Sequence, residues 1–449
     1  MVFIYSQDFP NEFYENKIHN DYYDLGKNWN KRSSFSTIRF QDIKDYKIID
    51  DSLNIYMRFG LYNKNESIAL YGFSRFVYQK NFYGYLYSRI VNNPNQFERY
   101  TGIPRDITRV GLNSGETDLS GIGYQNKWFF AQIGRGRESW GASNDINITL
   151  NQNSPSYDYI MFGSDYGKIR VKYIHSFLET VDNGVNRFLV GKGIEYSNNS
   201  SILFSISEIV TYSGFNRPLD FGYLNPISTH LEVELNDRLN INGEGSANGL
   251  WQLSSDMIFS NKFRVSTNLT WDELIFDKEE NIKGKENGTA QAIRISYNLV
   301  ADSFKNINIV FKYIKVGTST FRHRLGANNL IQRGKPIGWK YGSDGYEYNF
   351  GVRIFNFKNL ISSLYIGNRY VGEESILNRP YEPYSDHNIG KFPRGEVDKT
   401  NFIAVDITFW SKKTFSSNLN LEFSKLNNGK VLSSYNIGFN MYIPLKFRI

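Results

Sequence analysis

Short segments in which apolar and polar residues alternate recur along this 449-residue chain, and the connections between them are first short, then often long. Near the C-terminus Ile437, Phe439, Met441, Ile443, Leu445 and Phe447 fall on one parity, and Asn436, Gly438, Asn440, Tyr442, Lys446 and Arg448 on the other. Successive side chains of a β-strand point to opposite faces, so this period of two reads as a strand with one apolar and one polar side. Before it, Phe415, Leu419, Leu421 and Phe423 alternate with Asn418, Asn420, Glu422 and Ser424. Only Ser411, Lys412 and Lys413 separate that segment from the strand preceding it. A meander of antiparallel strands with alternating tight and long connections gathers its long loops at one end, which is the plan of a transmembrane β-barrel.

The pattern predicts eighteen strands, at 53–62, 67–79, 81–91, 119–125, 127–135, 156–163, 167–178, 187–197, 200–212, 249–259, 262–274, 289–300, 305–317, 345–357, 360–371, 400–410, 414–426 and 432–449. Most short links fall on the side of the two termini; the exceptions, 63–66 and 427–431, are short links on the other side. The longer ones, 92–118, 136–155, 179–186, 213–248, 275–288, 318–344 and 372–399, fall on the other, and are expected to point outward. These strands suit the roughly 9–11 tilted residues that cross a bilayer better than the shorter strands of a sandwich. The expected fold class is therefore all-β: a transmembrane antiparallel β-barrel of about 18 strands with long extracellular loops and short periplasmic turns. Residues 1–50 read as a polar N-terminal segment and 51–449 as the barrel. Met1 to Asp8 holds too few apolar residues for a signal peptide, so the start is expected to lie inside one whose beginning is missing.

A membrane barrel is apolar outside and polar within, and the faces sort that way. Arg264, Ser266, Asn268 and Asp272 share one face, with Phe263, Val265, Leu269 and Trp271 on the other. Lys168, Arg170 and Lys172 likewise oppose Ile169, Val171 and Tyr173, and are expected to face a wet lumen. Trp128, Phe129, Trp410, Phe415, Tyr78 and Phe82 flank the short turns as an interfacial girdle would. Glu208 is the misfit: it shares parity with Ile202, Phe204 and Ile206, which calls for a bulge or a position above the bilayer.

The mean hydropathy of −0.47 is too polar for a helical membrane protein, and no run reaches the roughly 18 apolar residues of a spanning helix. There is no cysteine, which rules out disulfides and thiolate metal sites. The net charge of +7 is scattered and carries no nucleic-acid motif, so nucleic acid is not an expected partner. The surplus fits lipopolysaccharide phosphates or an acidic glycan. The five histidines show no metal-ligand spacing, and no cofactor is expected. Gly134 to Gly141 (GRGRESWG) lacks the Lys-Ser/Thr of a phosphate loop. Its Arg135, Arg137 and Trp140 suit a glycan, because indole stacks on the C–H face of a sugar and guanidinium pairs a uronate in two places. The same residues could instead brace the outer loops against the barrel. Arg322, Arg324, Trp339 and Tyr341, in the basic and aromatic loop 318–344, form the second candidate grip for an anionic polymer.

Several stretches resemble the Wzi family of capsule-assembly outer-membrane proteins: Gly111 to Gly123 (GLNSGETDLSGIG), Gly134 to Gly141, Ser154 to Tyr159 (SPSYDY), Ser213 to Ile227 (SGFNRPLDFGYLNPI) with His230-Leu-Glu after it, and Trp271-Asp-Glu. They cover the chain from about Thr101 to Phe276, and the later half is similar by architecture rather than motif. The resemblance implies an eighteen-stranded barrel in the outer membrane of a Gram-negative bacterium, occluded by its own loops, that acts as a noncatalytic, lectin-like factor attaching capsular or extracellular polysaccharide to the cell surface. Its other partners would be outer-membrane lipid, lipopolysaccharide and, during biogenesis, the barrel-assembly machinery. The missing signal peptide and the terminal Ile449, in place of an aromatic residue, depart from the family pattern. A channel for sugars or anions lined by Lys168, Arg170 and Lys172 is the alternative.

Overall fold

Strand pairing in the computed structural model follows the alternation closely. It describes residues 24, 26, 29, 32–37, 53–79, 81–97, 99–239, 247–260, 262–273, 287–302, 305–356, 359–383, 390–411 and 415–446. Met1 to Asp8, Phe447 and most of the N-terminal segment lie outside the described residues. In chain order the strands are β1 (Phe35–Thr37), β2 (Leu53–Lys64), β3 (Ser67–Tyr78), β4 (Phe82–Val91), β5 (Ser114–Gln125), β6 (Phe129–Gly136), β7 (Glu138–Trp140), β8 (Tyr157–Asp165), β9 (Ile169–Val181), β10 (Val185–Ser197), β11 (Ile202–Phe215), β12 (Ala247–Phe259), β13 (Phe263–Glu273), β14 (Gly288–Ala301), β15 (Lys305–Val316), β16 (Ile331–Gln332), β17 (Lys335–Pro336), β18 (Gly345–Asn356), β19 (Leu360–Val371), β20 (Asp398–Ser411), β21 (Phe415–Leu426) and β22 (Val431–Lys446). One short helix, α1 (His230–Leu235), precedes β12.

All but β1, β7, β16 and β17 join a closed barrel of eighteen antiparallel strands, and β2 pairs with β22 to shut the cylinder. Closure leaves no sheet edge, the condition for crossing lipid with strands. In β3, Ile68, Leu70, Phe76 and Tyr78 are exposed on the outside, while Ala69, Tyr71, Phe73, Arg75 and Val77 are buried on the inside. Tyr78, Phe82, Trp128 and Phe415 form part of an exposed aromatic ring at the turn end. Trp410 departs from the expected girdle, because it has the opposite parity to exposed Phe409 and is buried. The link after β9 is also shorter than expected, since both flanking strands extend and leave only Asp182–Gly184 between them.

The long connections do not all rise away from the barrel. Three of them fold back into its lumen: β6 to β8, β15 to β18, and β19 to β20. Their apolar side chains explain this, since Ile146, Ile148, Leu150, Phe321, Leu330, Ile331, Ile337 and Ile376 are all fully buried in one core with wall residues such as Ile174, Leu189 and Ile209. Burying each such side chain contributes roughly 1.5–3 kcal/mol, so loops with this composition pack inward instead of extending into water. They also bond to one another, with Trp339 N donating to Ile148 O at 3.0 Å and Asn151 N to Ile337 O at 3.0 Å. Residues 32–37 lie in the same space. There β1 pairs with β7, and Phe35 meets Trp140 edge-on at 4.9 Å.

The β11–β12 connection does the opposite and folds over the outside of the wall. This accounts for Glu208. The β10–β11 and β11–β12 registers run through it without a shift, so a bulge does not explain it. It faces outward and is covered by α1, where His230 Nδ1 lies 2.8 Å from its Oε1.

Candidate functional site

A cavity of about 560 Å³ remains in the lumen, between the inward-folded loops and the wall. On the wall side it is lined by Tyr62, Tyr71, Tyr87, Phe402, Asn418 and Asn420 from β2, β3, β4, β20 and β21. On the loop side it is lined by Gln152, Asn153, Trp339, Lys340 and Tyr341, with Arg137 and Arg369 between. The side chains reach the cavity for simple reasons. Strand parity turns Tyr62, Tyr71 and Tyr87 to the inside, where Tyr71 and Tyr87 pack at 5.0 Å and Tyr62 meets Phe97 edge-on at 5.5 Å. Tyr341 is held by the Arg369 guanidinium, 3.6 Å from its ring centre, and Arg369 is in turn 3.5 Å from Glu347. Burial raises the Tyr341 hydroxyl, with Lys340 and Arg369 working the other way, so it stays a neutral donor and acceptor at neutral pH. Amides add to the polar lining: Asn418 Nδ2 donates to Asn420 Oδ1 at 3.3 Å, and Asn420 donates to Asp406.

Of the residues singled out from sequence, the cavity gathers Arg137, Trp339 and Tyr341. Arg137 is ion-paired with Asp118, which also holds Arg89 at 3.0 Å. Trp339 is almost wholly buried among the loops where it lines the cavity. Trp140 requires a correction. It is fully buried, donates Nε1 to Glu138 Oε2 at 2.7 Å, and has no surface for a sugar. Arg322 is buried as well, 3.2 Å from Glu374. Both therefore brace loops in this structure. Arg135 has outward parity and pairs with Asp158 at 3.0 Å, away from the cavity. Arg324 is exposed on its loop.

The expected lumen residues divide similarly. Arg264 and Asn268 are fully buried inside: Arg264 contacts Asp256 at 2.7 Å and Asp24 at 2.9 Å, and Asn268 donates to Ile146 O at 3.0 Å. Asp272 accepts from Phe321 N of an inward loop. Lys172 is ion-paired with Glu138, and Arg170 bridges Glu195 at 2.6 Å and Asp165 at 3.2 Å. Lys168 is corrected to an exposed turn residue before β9. The three cations thus do not line an open water path. Sequence reasoning missed Tyr62, Tyr71, Tyr87 and Asn420. Their inward parity was legible, but which part of the lumen stays empty depends on where the loops fold. Among the described residues no group of three or more His, Asp or Glu is arranged to hold a metal.

An eighteen-stranded closed antiparallel cylinder, apolar outside and polar within, is the fold of outer-membrane β-barrels, and the chain has that fold. Comparison with protein-family models and with curated sequences gives no match. Among solved structures it is similar to Wzi, an outer-membrane protein involved in group 1 capsule assembly in Escherichia coli and described as a carbohydrate-binding β-barrel. The TM-score is 0.61 at 11% identity, covering 87% of this chain and 84% of that one. OprD of Pseudomonas aeruginosa has a TM-score of 0.46 at 9% identity, covering 88% of this chain and 95% of that one. OccAB4 of Acinetobacter baumannii has 0.45 at 8%, covering 89% and 99%. At such identities the likeness is one of fold.

Proposed function

We propose that the protein binds surface or capsular polysaccharide and helps attach or assemble capsule at the cell surface, without catalysis. The observation that carries this reading is the cavity lining, in which aromatic faces, amides and guanidinium groups converge. Tyr faces stack on sugar C–H faces, Asn and Gln pair with hydroxyls, and Arg369 can take a carboxylate in two places. A polymer gains avidity by engaging many such sites weakly on one cell. The long loops, and the cavity with them, face outward in this reading, and the similarity in fold to a carbohydrate-binding barrel supports it.

A passage for sugars or anions, the other use of such a barrel, would run along this same cavity, because the Lys172 side is packed with the chain's own residues. Retention of purified capsular polysaccharide by immobilised protein tests the binding reading. Tyr341→Ala removes one stacking face worth about 1 kcal/mol, so retention should fall roughly 3- to 10-fold with barrel mobility on a gel unchanged. Equal retention by the variant and the parent would reject the site.

A further inference from the structure

The β11–β12 connection covers part of the barrel wall that ought to face lipid. Lys192 of β10 and Glu208 of β11 are register partners, both pointing outward, and Glu208 is also paired with Trp251 of β12. Tyr196 and Phe204, another register pair, lie four residues nearer the turn end and are exposed. At about 3.3 Å per residue and a tilt near 40°, four residues climb roughly 10 Å, well within an apolar band roughly 25 Å tall. The Lys192–Glu208 pair, 3.7 Å apart, therefore sits at hydrocarbon depth, yet it is buried.

What buries it is the chain itself. His230 N and Nδ1 reach Glu208 Oε1 at 3.0 and 2.8 Å, and Lys192 donates to the Ser228 carbonyl. Gly249 leaves room for the His230 ring against the wall, because a Cβ there would collide with it. Four residues farther toward the loop end, Tyr212 stacks between Phe188 at 4.9 Å and Tyr223 at 4.7 Å. Tyr173 donates to Tyr223 O at 2.9 Å, and Asp220 N donates to Tyr212 OH at 3.1 Å. The lobe is thus fastened to the outer wall at two heights.

Its far surface is apolar. Phe221, Ile227, Leu231 and Leu235 are exposed, Ile227 at 88% and Leu235 at 82%. Two positions nearer the turn end than the covered Glu208, Ile206 and its register partners Ile194 and Leu253 are exposed on the same outer face. Within the lobe Arg238 pairs with Glu232 at 2.5 Å, and Glu234 accepts from Tyr223 OH at 2.9 Å. A patch of this kind at the edge of water would be costly, whereas against acyl chains it is at home.

We propose that residues 216–239 form a lobe embedded in the loop-side leaflet, with Phe221, Ile227, Leu231 and Leu235 packed against lipid acyl chains. The lobe shields the charged pair on the wall and gives the barrel a local, asymmetric lipid contact. The proposal rests on the barrel spanning a bilayer, and its test separates the two.

The chain has no cysteine, so single cysteines carrying an environment-sensitive fluorophore each report one position. In the full-length protein in phosphatidylcholine vesicles, labels at Ile227→Cys and Leu235→Cys should emit blue-shifted light. They should lose emission when the vesicles contain lipid with a quenching nitroxide high on the acyl chain, as a label at Ile206→Cys on the bare wall does. A label at Val110→Cys, exposed on another loop, should stay water-like. Water-like emission at both lobe positions, with Ile206→Cys quenched, overturns the lobe and leaves the barrel in the membrane. A blue shift that resists the nitroxide lipid and vanishes as protein is diluted in lipid assigns the surface to a second copy of the chain and overturns it too. No quenching at Ile206→Cys overturns both.

Discussion

Asp24 of the N-terminal segment faces Arg294 of β14 through two parallel contacts, Nη1 to Oδ1 at 2.9 Å and Nη2 to Oδ2 at 2.7 Å. Arg264 shares Oδ1 at 2.9 Å and also holds Asp256, which reaches Arg32 at 2.6 Å. Two carboxylates and three guanidinium groups thus tie Asp24 and Arg32 to the wall with almost no solvent between them. Asp24→Ala leaves Arg264 and Arg294 short of a buried counter-charge. It should cost about 3–5 kcal/mol in attachment of that segment. Limited proteolysis should then cut within the first fifty residues, while the heat-modifiable mobility of the barrel is kept. An unchanged cleavage pattern would show that the segment is held by other contacts.

Trp140 and Arg137 lie three residues apart and should behave differently. Trp140 is fully enclosed between Phe35 and its bond to Glu138, and its truncation opens a cavity in the lumen core. Trp140→Ala should destabilise the inward loops by about 3–5 kcal/mol, seen as faster hydrogen exchange across residues 138–150. Arg137 lines the cavity, so Arg137→Lys, which keeps a charge on Asp118, should lower retention of an acidic polysaccharide with little change in exchange. If Trp140→Ala left exchange unchanged and reduced only glycan retention, Trp140 would be a contact residue after all.

Acid should loosen the same connection. Burial disfavours ionisation of Asp145, but Arg294 and Lys312 outweigh it and hold the carboxyl well below the usual carboxylate range. The folded state therefore binds this proton less readily than the unfolded one. The stabilisation is fully present above about pH 4 and is lost as pH falls through the lower folded value. Hydrogen exchange of residues 137–156, corrected for its intrinsic pH dependence, should be less protected at about pH 3 than at neutrality. Asp145→Asn should lose that part of the difference. The same acid response in the variant would place its origin elsewhere.

The strands were legible because lipid and lumen impose opposite demands on alternate residues. Leu70 and Tyr71, or Val265 and Arg264, declare their faces without reference to the rest of the chain. The destination of the loops was not legible in that way. Ile146, Ile148 and Leu150 are an apolar run in an Asn-rich stretch, a signal of inward packing that the expectation of outward loops obscured. Arg137 and Trp140 were given sugar chemistry on the assumption that they stood in water. Only the loop fold decides that one lines a cavity while the other is enclosed. Glu208 was the local sign of the outer lobe, since a carboxylate of lipid-facing parity needs a cover, and its cover comes from residues more than twenty positions away.

The first and last strands of the barrel, β2 and β22, meet to close it, and one crosslink tests this closure. Phe59 of β2 and Met441 of β22 are register partners, and both are exposed on the outside. Opposed residues of an antiparallel pair lie roughly 4.5–5.5 Å apart at Cα, within reach of a disulfide. In the otherwise cysteine-free chain, Phe59→Cys with Met441→Cys should oxidise to an intramolecular disulfide in vesicles, with a shifted, reductant-sensitive gel band. The out-of-register pair Phe59→Cys with Ile437→Cys should not. Only intermolecular dimers, or no crosslink at all, from the matched pair would mean that these strands do not meet and that the barrel is open.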